Sequence, residues 1–175
     1  MTAIAWVGLN SWRDSVMTNQ RERALTGVQE LMTAERWAEA SGAIRSFSRE
    51  FGTQLPLEEQ AQWRELDIES SERLGDLSRL VWLESRYPDL VHNRERASLM
   101  ITRTFAAAGQ SEEADRLRQV WRGREEEPHL WLALDVDRLL AADQPEVARA
   151  LVESQQFTGA ADTGRLLRLA MMAPT

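Results

Sequence analysis

A chain of 175 residues, 43% hydrophobic and 28% charged, has the balance of a folded protein with one sizeable core rather than of a disordered segment. Its net charge of -7 argues against a general field for nucleic acid or anionic lipid, and its lack of cysteine excludes disulfides, zinc-thiolate sites and thiol catalysis. All 21 basic residues are arginine, which points to GC-rich bacterial coding, and seven tryptophans foretell heavy aromatic burial.

Helical spacing runs through the chain, and strand and hairpin signals are nearly absent. The uncharged run Met1 to Trp12 is too short to span a bilayer, which takes roughly 20 apolar residues. It also lacks the basic start of a signal peptide. It reads as an amphipathic first helix over 4–17, with Ile4, Val7, Trp12 and Val16 inward; the rival reading is the tail of a membrane helix. Helices over 20–33 and 36–51 follow, the latter closed by Gly52, and Pro56 is placed to open 57–73. A helix over 76–86 ends at Pro88. The next, 92–108, carries Ala97, Met100, Ile101, Thr104 and Phe105 on one stripe. After Gly109, Ser111 is positioned to cap 111–123, where Ala114, Leu117, Val120 and Trp121 form the stripe. Pro128 and Pro145 suit the first turns of 128–141 and 144–156. A last helix over 162–172 carries Leu166, Leu167, Leu169, Ala170 and Met171.

Short connections make successive helices antiparallel, and repetition selects a stacked array over a simple bundle. Gly109-Gln110-Ser111-Glu112-Glu113-Ala114 matches Asp143-Gln144-Pro145-Glu146-Val147-Ala148 at an offset of 34 residues. Glu35 to Ala40 is a third copy and Gly75 to Leu80 a weaker fourth, so the reference positions 40, 80, 114 and 148 are spaced by 40, 34 and 34. Ala40, Ala114 and Ala148 hold a small residue early in each second helix, where two helices cross closely. A bulky side chain there would cost about 1–3 kcal/mol. Leu31, Phe105 and Leu139 hold a large residue near the end of each first helix. The Gly75 copy departs, with Leu80 at the small position and Asp67 and Glu69 in its first helix; the last copy has Asp135 in an apolar stretch.

In these residues the chain resembles the tetratricopeptide repeat family. The resemblance implies an all-α fold of antiparallel helix-hairpin repeats stacked as a right-handed α-solenoid. Its expected parts are a leading helix over 1–19, about four hairpins over 20–160 and a capping helix over 161–175. It also implies a protein-interaction scaffold whose first helices line a concave groove for a peptide or partner protein. Counted from the matched positions, Leu25, Gln29, Arg96, Leu99, Arg103, Leu130, Ala133 and Asp137 would face that groove. Arg96 and Arg103 are the expected polar anchors, and Leu99 and Leu130 the apolar ones. Lysine- and asparagine-rich clamp positions for a C-terminal carboxylate are not reproduced.

Chemistry finds little footing. His92 and His129, 37 residues apart, read as polar residues at helix starts. No nucleophile-elbow spacing and no glycine-rich phosphate loop is present. The carboxylate pairs Asp135 with Asp137 and Glu58 with Glu59 sit at spacings that diverge on a helix. The stretch Arg116 to Arg124 is strongly basic, but Glu125, Glu126 and Glu127 follow it, and Trp121 lies on the apolar stripe. The expectation is therefore a non-enzymatic protein with no cofactor and no metal. It is soluble and cytoplasmic or periplasmic, or the soluble part of a membrane-anchored protein. The alternative role is a structural, self-associating module of a larger or membrane-anchored assembly, with homo-oligomerisation through the N-terminal helix.

Overall fold

The computed structural model describes the backbone of residues 2–156 and of 162, 164, 165 and 168, with side chains described from Met17 onward. The described residues form helices joined by short connections, with no strand among them. The order is α1 (Thr2–Thr33), α2 (Trp37–Phe51), a 3-10 turn (Gly52–Gln54), α3 (Leu57–Leu74), α4 (Leu77–Arg86), α5 (Pro88–Val91), α6 (Glu95–Ala107), α7 (Ser111–Trp121), α8 (Pro128–Ala141) and α9 (Pro145–Ser154).

Several boundaries differ from expectation for identifiable reasons. The helices expected over 4–17 and 20–33 are one helix, because Thr18-Asn19 supplies no glycine or proline to stop it. Pro88 follows the end of α4 at Arg86, as expected, and also opens the single turn α5 at a position where its missing N–H costs no hydrogen bond. Ser111 does not cap α7. It is itself the first helical residue, with Gln110 as the flanking residue and the Gln110 carbonyl accepting from the Ala114 N–H at 3.1 Å. Pro128 and Pro145 do occupy first helical positions. The helix expected over 162–172 lies largely outside the described residues.

Four hairpins share one turn. Glu35, Gly75, Gly109 and Asp143 take left-handed backbone conformations, with φ of 57°, 69°, 74° and 56°. In each turn the next residue donates its N–H back across the left-handed position, from Arg36 to Leu31, Asp76 to Ser71, Gln110 to Phe105 and Gln144 to Leu139, all at 2.9 Å. This six-to-one bond closes the first helix and aims the chain back along it. Five residues after each left-handed position comes the close-crossing residue: Ala40, Leu80, Ala114 and Ala148, all with no exposed surface.

The chain divides into two compact units, Met1–Arg86 and Tyr87–Thr175. In the first, α1, α2 and α3 close over Val28, Met32, Ala40, Ile44, Phe47, Leu55 and Trp63. Phe47 stacks on Trp63 with ring centroids 4.0 Å apart. Each such side chain contributes about 1.5–3 kcal/mol when buried. The departures noted in the second hairpin are explained here. Asp67 is buried and ion-paired with the Arg79 guanidinium, whose carbon lies 4.0 Å from the Trp82 ring centroid. A charged pair thus stands where the other hairpins use apolar packing. Leu80 is accommodated while α3 buries two small residues, Ser70 and Ser71.

The second unit packs two hairpins, α6–α7 and α8–α9. Leu99, Trp121, Trp131 and Leu134 form one cluster, and Leu132, Val136, Ala148 and Val152 another. Trp121 is a core residue, as its stripe position required.

Candidate functional site

The groove residues expected from the repeat register fall in different environments. Gln29 is exposed on α1 in the first unit; the other five site residues belong to the second. Arg96 and Arg103 are exposed on α6, and Arg103 has no hydrogen bond or ion pair among the described residues. Leu99 is a correction: only 4% exposed, it packs with Trp121, Trp131 and Leu134 and offers no surface to a partner. The physical reason is the arrival of two large residues from α8 over its position. Leu130 is half-buried against the same cluster. Asp137 is exposed and faces Arg168 at 3.2 Å. Among the remaining groove positions, Leu25 packs against the first unit's core and Ala133 is buried.

The α7–α8 connection is built from charge. Arg118, on the last turn of α7, pairs with Glu125 at 2.7 Å and Asp135 at 3.0 Å, and its guanidinium lies 5.1 Å from the Trp131 ring centroid. Burial works against the Arg118 charge, but the bonds to Glu125 and the field of Asp135 outweigh it and raise its pKa. Burial likewise opposes the Glu125 carboxylate, yet the bonds from Arg118 and from the Gly123 N–H hold its pKa below the ordinary glutamate value. Glu95, from the start of α6, accepts the Glu126 and Glu127 N–H groups and the Trp131 indole N–H, so it caps the approach to α8 from another hairpin. Arg124 crosses Trp121 at 4.5 Å and donates to the His92 carbonyl at 3.0 Å.

Beside this connection lies a cleft of about 610 Å³. Ala106 and Gly109 close one end; Ser111, Asp115 and Arg122 of the α7 segment form one wall. Asp135, Arg138, Leu139, Ala141 and Ala142 of α8, with Leu151 of α9, form the other. Its charges are mostly spent internally. Asp135 is held by Arg118, and Arg138 reaches Asp115 at 2.5 Å. Arg122 is exposed and has no ion-pair partner among the described residues. The cleft therefore combines small apolar patches with one uncompensated positive charge, which suits an apolar segment carrying one acid. Arg103 stands one helical turn before Ala106 on α6 and extends the same cationic character.

Asp115, Arg138 and the cleft itself were not legible in the sequence, because the charges that line it pair between α7 and α8 across 23 residues. Arg122 was visible within the basic stretch; its freedom follows from Arg118 claiming Glu125. His129 does sit in the first turn of α8, whereas His92 closes α5 rather than opening a helix. Asp135 and Asp137 turn to different arginines, Arg118 and Arg168, and do not form an acid–base couple. Glu59 faces Arg21 at 3.9 Å, apart from the exposed Glu58. Among the described residues no group of three or more histidine or carboxylate side chains is placed to hold a metal ion. Compared with family models, curated proteins and solved structures, the chain matches none.

Proposed function

We propose that this chain is a non-enzymatic protein-interaction scaffold of tetratricopeptide type, built from stacked helical hairpins, and that it docks an extended peptide segment of a partner protein. The observation that carries the reading is the cleft between α7 and the α8–α9 hairpin, with Arg122 as its one unspent charge. The peptide's acid meets Arg122, its small apolar residues meet Ala106, Leu139 and Leu151, and a further acid reaches Arg103. Because both walls belong to helices already fixed by core packing, little ordering cost falls on the scaffold side.

Selection from a displayed random-peptide library tests this. Binders should share an acid flanked by small apolar residues. Arg122→Ala and Arg103→Ala should each weaken them about tenfold, the scale of one charge-assisted hydrogen bond. Circular dichroism should be unchanged, since both side chains are exposed. Binders that tolerate both substitutions would overturn the placement.

A further inference from the structure

Two ion pairs in one antiparallel register tie the α7 and α8 walls of the cleft together. Asp115 of α7 meets Arg138 of α8 at 2.5 Å. Three residues on along α7 and three back along α8, Arg118 meets Asp135 at 3.0 Å. The pairs differ in how firmly they hold. The Arg118 and Asp135 side chains are only 14% and 24% exposed, and Arg118 also holds Glu125 at 2.7 Å. Neither can leave without stranding a charge inside the protein.

The other pair is lopsided. Arg138, at 24% exposed, belongs to the cleft wall, whereas Asp115 is 65% exposed and makes no other side-chain bond among the described residues. Asp115 can turn into water at little cost, because an exposed carboxylate gains almost nothing net from its pair. Arg138 cannot follow it and needs a replacement acid. Asp115 therefore sits on Arg138 as an incoming carboxylate would.

The second cation of the cleft sets a spacing. Arg122 follows Asp115 by seven residues along α7, about 10 Å of helix axis. Arg138, tied to Asp115, presents its charge at that distance from the level of Arg122. A polyproline II segment advances about 9 Å in three residues and returns to the same face. A β-strand points residues three apart to opposite faces. The cleft thus matches acids at positions i and i+3 of a polyproline-type segment.

We propose, on the reading that this cleft docks a peptide, that its ligand is a polyproline-type segment with two acids three residues apart. One acid binds Arg122, and the other displaces Asp115 from Arg138. Asp115 is a resident competitor, left in place by a segment whose single acid meets Arg122.

Titration calorimetry of the full chain with the peptide acetyl-Leu-Glu-Pro-Ala-Glu-Leu-amide tests this, beside the two peptides in which one glutamate is glutamine. Asp115→Asn should tighten the two-acid peptide about threefold, the scale of one exposed ion pair. That gain should vanish when the same substitution is made beside Arg138→Ala. It should also vanish with one of the two glutamine peptides, a comparison that leaves Arg138 intact. Circular dichroism checks the fold of each variant. Unchanged affinity in Asp115→Asn would overturn the exchange. So would a gain that persists beside Arg138→Ala, which is plain relief of repulsion. A two-acid peptide that does not bind, while library-selected binders weaken in Arg122→Ala, overturns the two-acid motif alone. Library binders indifferent to Arg122→Ala remove the docking reading and the motif together.

Discussion

Glu95 and Trp131, 36 residues apart and on different hairpins, meet in a 2.7 Å hydrogen bond from the indole N–H to Oε1. The same carboxylate accepts two backbone N–H groups ahead of α8, so one side chain fixes where the next hairpin begins. Glu95→Ala would leave three donors short of an acceptor and should destabilise the protein by about 2–4 kcal/mol. Glu95→Gln keeps one acceptor oxygen and should lose less than half as much. Urea denaturation of the three proteins, comparing midpoints at constant slope, checks the order.

The close-crossing alanines should be intolerant of size. Ala114→Leu and Ala148→Leu each push a larger side chain into fully buried space and should cost about 1–3 kcal/mol, visible as a lowered thermal midpoint. Ala150→Leu, on an exposed position of α9, should change stability by less than about 0.5 kcal/mol.

The four shared turns make paired backbone predictions. Nothing lies within 4 Å of a Cβ added at Gly109, so the cost of Gly109→Ala is that of the left-handed conformation alone, about 1–2 kcal/mol. Glu35 already bears that strain, and Glu35→Gly should stabilise by up to about 1 kcal/mol, the relief being partly offset by a freer unfolded chain. Opposite shifts in urea midpoint are expected; shifts of the same sign would contradict the shared-turn account.

Acid should weaken the α7–α8 connection. The Glu125 pKa is lower in the folded than in the unfolded chain, so the unfolded state binds the extra proton first. The resulting stability is present above the ordinary glutamate range and is lost as pH falls through the depressed folded value. Glu125→Gln should therefore flatten the acid limb of a stability–pH profile. Retention of the full acid slope in that variant would show that Glu125 contributes nothing to it.

How much of this was legible in the sequence depends on the range of the interaction. The hairpin turns were visible because the motif around each left-handed residue recurs at spacings of 40, 34 and 34, with a small residue five positions on in three of the four. Both requirements are local. The burial of Leu99 was not visible, since its stripe on α6 is shared with exposed Arg103, and only the arrival of Trp131 and Leu134 decides between them. The cleft was hidden for a similar reason. Its charge balance depends on Arg138 reaching Asp115 across 23 residues and on Arg118 taking Asp135, and no spacing rule within one helix shows either. The break expected between 17 and 20 does not occur in α1, since neither Thr18 nor Asn19 stops a helix by itself.

The most direct test of the scaffold reading is amide chemical-shift mapping of the full chain with the tightest library-selected peptide. The account expects perturbations concentrated on Ala106, Ser111, Asp115, Arg122, Leu139 and Leu151, largely lost in the Arg122→Ala protein. Perturbations centred on another surface, or the same map in Arg122→Ala, would contradict it.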